Sequence, residues 1–376
     1  MAAEALINPQ LVTWARLRAG LSIELLAKKL GIKSADKVKS WEQGATKPTF
    51  VQAKNIAKHT QIPFGYLFLQ KPPVESLPIP DLRTFVNRGV EVPSNNLRDV
   101  INQALQKQAW YKDYLLEIGQ SKCDVIGRFT LSDDIQTVVA DMRQRLNMPM
   151  PDKGNSDNYF DNLIKAAEGV GILVMRSGIV GSNTRRKLQV SEFRGFAIYD
   201  EYAPVIFVNS ADVKAARLFT LVHELAHLWL ASSGISNITD CDQNEEVRCN
   251  AIAGEFLLPK QVFVSCWRRD IDWQDNLAPI SKRFYVSALV VAKRALDCGF
   301  ISAQSYGKYY QLQLKAFQQQ SSAGGGSYFN NTKARNGKLL TQAVTTQAMS
   351  GKVLMRDAAQ VLGVTPQQIK SFAGDI

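Results

Sequence analysis

The sequence predicts a mainly helical α+β protein, and three observations lead to this fold class. Short helical patterns interrupted by glycine fill the first 72 of the 376 residues. Apolar runs with strand character occur at 171–176, 193–199 and 205–208. Long apolar helical patterns then lie on either side of the loop at Gly234. We therefore expect an all-α N-terminal domain, a central α+β domain with a small sheet, and a helical C-terminal segment.

Changes in composition along the chain give the predicted domain boundaries. Residues 1–72 form the first helical domain, and residues 73–150 hold a proline-rich linker and connecting helices. Residues 151–320 contain the strands and the long apolar helices, with the basic run 185–187 predicted as a solvated loop. Residues 321–376 begin with a glycine-rich linker and continue as a helical, helix-turn-helix-like segment.

The first domain has a regular arrangement of short helices. Glycine and proline end successive patterns, as they commonly do at helix termini. Compact helices at such intervals suggest a helix-turn-helix domain. The predicted helices are 10–19, 23–30, 35–42 and 50–60, followed by a short closing segment at 64–69.

Particular residues of this domain resemble the lambda-repressor-like (XRE) family. The matching positions include Arg18-Ala19-Gly20-Leu21-Ser22, Leu26-Ala27, Gly31, Trp41-Glu42-Gln43-Gly44 and Pro48. The resemblance implies that the third helix enters the major groove of double-stranded DNA and that Trp41 and Glu42 have structural roles. Asp36 departs from this picture because it would repel phosphate. The candidate DNA contacts are Lys33, Ser34, Lys37, Lys39 and Ser40.

The net charge of +11 is concentrated at the two ends of the chain. Residues 1–72 carry 11 Lys and Arg against 4 Asp and Glu, and residues 300–376 carry 8 against 2. The residues between them carry 26 against 28. Such basic ends are typical of contact with nucleic acid.

The central domain contains a five-residue pattern of metal-binding type. Two of the three histidines, His223 and His227, are four residues apart with Glu224 between them. A helix turns about 100° per residue, so both imidazoles share one face and can hold one ion. This H-E-x-x-H pattern is typical of zinc hydrolases.

A catalytic zinc site of this type needs a third protein ligand and an open position for water. The helical pattern from Glu245 to Leu258 begins with several acidic residues, so a carboxylate from this helix is the expected third ligand. Glu246 shares a face with Cys249 and Asn250, and Glu245 and Glu255 are its rivals.

Several segments between Phe193 and Pro259 resemble the ImmA/IrrE family of zinc metallopeptidases. The resemblance rests on Phe219 to His227, Glu246 to Ala251 and Glu255 to Pro259, with Phe193 to Ala197 and Pro204 to Asn209 upstream. It implies a zincin-like peptidase domain in which a glutamate four residues before an asparagine completes the Zn²⁺ site. Glu246 and Asn250 match that pair.

The resemblance also implies a mechanism. His223, His227 and Glu246 would hold zinc, which lowers the pKa of its water. Glu224 would take the proton and deliver it to the leaving amine. The sequence identifies no second group that would stabilise the oxyanion.

The five cysteines fit a cytoplasmic protein, because their number is odd and their spacing forms no framework. Neither a signal peptide nor a membrane-spanning run is predicted. Cys241 is a candidate switch that blocks the open zinc position, although an ordinary loop cysteine is favoured. Cys249 and Asn250 are candidates for roles beside the metal.

Together these features predict a DNA-binding regulator with a zinc endopeptidase on the same chain. The resemblance implies a protein substrate, namely a repressor or a toxin/antitoxin partner, in a stress, prophage or mobile-element response. Self-cleavage in the 321–327 linker is a variant of this prediction, and homodimerisation is left open. The alternative is a non-proteolytic repressor or antitoxin that uses the metallopeptidase fold as a sensor or binding scaffold.

Overall fold

A computed structural model describes residues 3–73, 94–149, 159–212, 214–230, 241–319 and 328–373. The chain divides into two compact units, which within the described residues comprise 3–73 with 94–99, and 100 onwards. Most of the proline-rich linker and the whole glycine-rich linker lie outside the described residues. The four-part division made from the sequence stays a prediction.

The first unit is helical throughout its regular elements, as predicted. Capping explains where several of its helices begin, because the side chains of Asn8, Ser22, Ser34 and Thr49 accept hydrogen bonds from backbone N–H groups in the first turns. The elements are α1 (Pro9–Arg18), α2 (Ile23–Lys29), α3 (Ala35–Glu42), α4 (Phe50–Thr60) and a 3-10 helix (Phe64–Phe68).

The turn between α2 and α3 depends on Gly31, whose φ of +69° favours glycine. Trp41 on α3 is 1% exposed within the core of this unit. Glu42 accepts two hydrogen bonds from the Arg16 guanidinium, at 2.6 and 3.0 Å. These contacts fix α3 against α1 and agree with the structural roles expected for Trp41 and Glu42.

The second unit combines a small mixed sheet with helices, which confirms the predicted fold class. Three strands have the order β1–β5–β4, with β1 parallel and β4 antiparallel to β5. All five residues of β5 are buried, as expected for an apolar central strand. The strands are β1 (Leu173–Ser177), β4 (Gly195–Ile198) and β5 (Val205–Asn209), with a separate hairpin of β2 (Ile179–Val180) and β3 (Asn183–Lys187).

The hairpin corrects one prediction. The basic run 185–187 was expected in a loop, but it lies in β3, paired with β2. Four of the five residues of β3 are exposed, so the strand lacks the apolar alternation that would identify it in the sequence.

Helices pack against the three-stranded sheet and share the core of the second unit with it. α8 packs against β4, β5 and α9, and α9 also packs against α6. The indole N–H of Trp229, at the end of α8, donates to Asp141 on α6 at 2.9 Å. In chain order, the helices from the connecting region to the end of this core are α5 (Asn95–Glu117), α6 (Ile135–Arg145), α7 (Tyr159–Gly169), α8 (Lys214–Trp229) and α9 (Cys241–Leu257).

The remaining helices complete the second unit. After α9 come α10 (Lys260–Cys266), a 3-10 helix (Trp273–Asn276), α11 (Leu277–Phe284), α12 (Ala288–Asp297) and α13 (Ala303–Gln319). The C-terminal segment forms α14 (Tyr328–Asn336), α15 (Lys338–Met349), α16 (Met355–Leu362) and α17 (Pro366–Ala373). α14 and α15 pack against β1, so the C-terminal segment lies against the edge strand β1 of the sheet.

Glu168, at the end of α7, attaches α15 to the rest of the unit. Its Oε1 accepts from the backbone N–H of Lys338 at 2.6 Å, at the first residue of α15. Burial raises the pKa of Glu168, although the backbone hydrogen bonds from Lys338 and Leu339 lower it in part. Gly337 is the N-cap residue of α15 and makes no side-chain capping hydrogen bond. Glu168 thus supplies the acceptor that an N-cap side chain would otherwise provide.

Replacing Glu168 with Ala should lower the free energy of unfolding by about 1–3 kcal/mol, because buried N–H donors at the start of α15 would lose their acceptor. Urea unfolding measures this loss. Glu168→Gln is the matched control and should lose less than about 1 kcal/mol, because it keeps an acceptor and removes a buried charge. Equal losses in both variants would contradict the capping role.

Candidate metal centre

The two histidines of the H-E-x-x-H pattern lie together on α8. Their imidazole centroids are 4.7 Å apart, and their Nε2 atoms are 3.0 Å apart. The neighbouring apolar residues Leu221, Val222 and Leu225 are fully buried in the core. Core packing of α8 therefore fixes the backbone that positions both imidazoles.

Glu246 on α9 completes a triangle of donor atoms with the histidines. Its carboxylate oxygens lie 3.4 Å from Nε2 of His223 and 3.0 Å from Nε2 of His227. Burial alone would raise the pKa of Glu246, but hydrogen bonds from both histidines lower it to about 2. The three side chains are 13–23% exposed, so the triangle can be reached from solvent.

The donor triangle fits a zinc ion. Tetrahedral zinc with nitrogen and oxygen ligands at about 2.0–2.1 Å holds its donor atoms about 3.4 Å apart. The two Nε2 atoms are 3.0 Å apart, Oε1 of Glu246 is 3.0 Å from that of His227, and Oε2 of Glu246 is 3.4 Å from that of His223. Each of these separations is close to the spacing of zinc ligands, with the two carboxylate oxygens facing one imidazole each. Two imidazole nitrogens and a carboxylate are also a donor set that zinc prefers.

A second group of side chains lies at the other nitrogen of His227. Nδ1 is 3.0 Å from Oε1 of Glu245, and the fully buried Cys249 is also hydrogen-bonded to this imidazole. Burial lowers the pKa of His227, but the hydrogen bonds with Cys249 and the two glutamates raise it well above its ordinary value. A proton on Nδ1 that is donated to Glu245 leaves the Nε2 lone pair directed at the triangle.

The other candidates from the sequence have different places. Glu255 accepts from Gln136 at 2.9 Å and pairs with Arg294 at 3.2 Å, so it joins α9 to neighbouring helices rather than to the histidines. Asn250 is exposed, and its side chain makes no hydrogen bond within the described chain. Cys241 opens α9, but its side chain lies outside the described residues.

Glu224 lies on α8 between the histidines and is 7% exposed. Burial raises its pKa above the ordinary value, while the two histidines lower it. The backbone of Gly195 on β4 lies directly against this carboxylate. A Cβ at Gly195 would be 3.0 Å from Oε1 of Glu224 and only 2.5 Å from Cγ2 of Thr220. The sequence reveals both the strand and the glycine, but not this close approach.

Gly195→Ala should therefore separate β4 from α8 and lower the free energy of unfolding by about 1–3 kcal/mol. Chemical denaturation measures the loss. The control is Gly307→Ala on α13, where a new Cβ meets nothing within 4 Å. This control should be stabilised by up to about 1 kcal/mol, because alanine suits a helix interior better. A Gly195→Ala protein as stable as the control would show that α8 and β4 tolerate a side chain between them.

The predicted DNA contacts lie at or near α3. Lys33, Lys37 and Lys39 are exposed, which suits contact with phosphate. Ser34 is instead the N-cap of α3, and its Oγ accepts from the N–H of Asp36 at 3.2 Å. Ser40 is half-buried and donates to the carbonyl oxygen of Lys37 at 2.8 Å.

Comparison with known families supports both halves of the sequence-based identification. The helix-turn-helix model matches residues 13–67, and the model of the IrrE N-terminal-like domain (peptidase M78) matches residues 167–296. A domain of unknown function (DUF8813) matches residues 336–374. No curated protein matches the sequence. Among the helices of the described ranges, none is both long and apolar enough to cross a membrane.

Proposed function

We propose that this chain, which joins a helix-turn-helix region to an IrrE N-terminal-like region, is a DNA-binding regulator with zinc endopeptidase activity. The observation that carries the proposal is the triangle of His223, His227 and Glu246 with Glu224 beside it. A carboxylate buried next to two imidazoles and a third donor is the arrangement needed for peptide hydrolysis.

In this proposal His223, His227 and Glu246 hold one Zn²⁺. When bound, zinc polarises the scissile carbonyl and lowers the pKa of the attacking water. Glu245 positions His227 by accepting the proton of Nδ1, at 3.0 Å. Three protein ligands leave one position for exchange, which distinguishes this centre from a closed structural site.

Glu224 is the proposed general base and acid. Its pKa, raised by burial, favours proton uptake at a higher pH than an exposed glutamate allows. Within the described residues its carboxylate accepts no hydrogen bond, so both oxygens remain available to a water and to the leaving amine. The proton that Glu224 takes from water is the one it delivers to the amine.

A strand edge beside α8 supports a peptide substrate. In the order β1–β5–β4, β4 pairs with β5 on one side only within the described sheet. An extended segment of a protein substrate would pair with β4 through main-chain hydrogen bonds. The absence of a side chain at Gly195 keeps the start of this strand close to Glu224.

We further propose that the substrate is a regulatory protein, such as a repressor or a toxin/antitoxin partner, and that the protein acts in the cytoplasm. DNA binding by the first unit would raise the local concentration of the peptidase near a promoter-bound target. Homodimerisation and cleavage at the 321–327 linker, which lies outside the described residues, remain predictions.

Substrate identification tests the proposed endopeptidase. The zinc-loaded full chain is incubated with proteins encoded by neighbouring genes and with a proteome-derived peptide library, and new N-termini are identified by mass spectrometry. We expect cleavage at a defined sequence in one regulatory protein, and also detection of any shortened form of the chain itself. A binding partner that remains uncut, together with a library that remains uncut, would favour the non-proteolytic alternative.

The DNA-binding function makes a separate prediction about salt dependence. Lys37→Ala/Lys39→Ala should weaken binding to duplex DNA and reduce the slope of log K against log salt by about 2, since each phosphate contact contributes about 0.9. Fluorescence anisotropy at several salt concentrations measures the slope. The exposed Lys58 at the end of α4 provides the control, because Lys58→Ala should leave the slope nearly unchanged. An unchanged slope in the double variant would exclude α3 as the phosphate-binding surface.

A further inference from the structure

The C-terminal segment contains a helix pair to which the proposed function gives no role. α15, α16 and α17 all pack on one another. Residues 363–365 join α16 to α17, and this is the connection length of a helix-turn-helix. Ile369 and Phe372 of α17 are at most 2% exposed, so they hold this helix in place. We call α16, α17 and the turn between them the second helix-turn-helix.

The turn of the second helix-turn-helix repeats the turn that follows α2 in the first unit. Ala359 to Gly363 have the pattern Ala-x-x-Leu-Gly, and so do Ala27 to Gly31. Gly363 has a φ of +64° and Gly31 a φ of +69°. In both turns the residue after the glycine donates its N–H to the alanine carbonyl oxygen at 2.9 Å. Each glycine N–H also donates to the carbonyl oxygen three residues earlier, at 3.2 Å. The structure thus uses one turn geometry before both α3 and α17.

α17 presents a polar face to solvent. Gln367, Lys370 and Ser371 are exposed, and their spacing of three and four residues places them on one side of the helix. Gln368 is directed to the turn instead, because its Oε1 accepts from the N–H of Thr365 at 2.8 Å. Within the described residues Lys370 makes no ion pair. Glutamine, serine and lysine are side chains that read base edges or bind phosphates.

The charge of the segment complements a polyanion. Residues 328–373 carry six Lys and Arg against one Asp and no Glu. Lys352, just before α16, and Arg356, in its first turn, are exposed. Arg356 pairs with Asp357 at 3.0 Å, but these side chains are 80% and 49% exposed, and a pair this exposed is weak. Such a basic excess beside a helix-turn-helix is the electrostatic pattern of nucleic-acid binding.

We propose that the second helix-turn-helix binds double-stranded DNA, with α17 in the major groove. Gln367 and Ser371 face base edges, and Lys370 contacts a phosphate. The chain then has two DNA-binding surfaces, one near each end of the sequence. This inference depends neither on the peptidase activity nor on DNA binding by α3.

Fluorescence anisotropy of the full chain carrying Lys37→Ala/Lys39→Ala tests the proposal, because these substitutions weaken the contact proposed for α3. The first probe is a DNA duplex of about 30 base pairs that the same protein enriches from a random pool, and the second is an RNA duplex of the same sequence. We expect Lys370→Ala to reduce the slope of log K against log salt for the DNA by about 0.9. The RNA should bind at least about tenfold more weakly, because its deep, narrow major groove does not admit a helix.

Gln367→Ala should weaken binding of the enriched DNA at least about fivefold and change binding of an unselected duplex much less. Lys308→Ala is the matched control for Lys370→Ala, since Lys308 is an exposed lysine on α13, outside the second helix-turn-helix. It should leave the slope unchanged. All three side chains are exposed, so these variants should keep the melting temperature of the parent protein.

Failure to enrich any duplex, equal binding of the RNA, or a slope that Lys370→Ala leaves unchanged would overturn the proposal. Failure of the contact proposed for α3 has a different signature. In that case Lys37→Ala/Lys39→Ala leaves the slope of the unmodified chain unchanged, while Lys370→Ala still lowers it.

Discussion

Replacing Glu224 with Gln should leave about one zinc per chain and reduce peptide hydrolysis by at least about a hundredfold. Glutamine occupies the same space beside α8 and β4 but cannot take a proton from water, and general-base catalysis commonly contributes about 10²–10⁴-fold. Glu224 is not part of the donor triangle, so the proposed metal ligands remain intact. Metal analysis and cleavage assays on the same preparation measure the two effects separately.

The control for this experiment is Glu201→Gln. Glu201 pairs with Lys122 at 2.7 Å on the surface, so its loss should change neither the zinc content nor the cleavage rate. A Glu224→Gln protein that cleaves as fast as the unmodified chain would exclude the proposed base. A variant that loses its zinc would instead assign Glu224 to metal retention.

Adjacent glutamates on α9 should differ in their effects on zinc. Glu246→Gln removes a donor from the triangle and should abolish both stoichiometric zinc and hydrolysis. Glu245→Gln changes the group at Nδ1 of His227 and leaves the three residues of the triangle intact. It should therefore retain zinc with about 10–100-fold weaker affinity, the usual effect of altering a group that orients a ligand. Competition with a chelator measures both affinities.

This pair of variants also distinguishes between two possible metal sites. His227, Glu245 and Cys249 form a second group of potential ligands, whose donor atoms also lie within 4.8 Å of one another. If zinc occupied that group, Glu245→Gln would lose the metal and Glu246→Gln would keep most of it. The proposal requires the opposite order.

The sequence is sufficient to predict the features that depend on local spacing. The helix-turn-helix region follows from helices ended by glycine and proline, and family comparison confirms it. The face shared by His223 and His227 follows from helical geometry, and the structure places both Nε2 atoms 3.0 Å apart. The sequence alone does not decide between Glu245 and Glu246, because the directions of adjacent side chains on a helix differ by only about 100°. The family resemblance favours Glu246.

Features that depend on contacts between distant segments were not predicted. The approach of Gly195 to Glu224 requires β4 to pack on α8, and nothing in the local sequence specifies that distance. Lys107 on α5 and Arg335 on α14, which are remote in sequence, line one small cleft beside β1. The C-terminal segment was predicted as helical, but its docking on β1 appears only in the folded chain.

X-ray absorption at the zinc edge tests the proposed metal centre most directly, and it requires no knowledge of the substrate. The full chain loaded with one zinc should show only nitrogen and oxygen ligands at about 2.0–2.2 Å, including two imidazoles. This result would fit His223, His227 and Glu246 with one exchangeable position. A sulfur ligand at about 2.3 Å would instead place a cysteine on the metal and contradict the proposed centre.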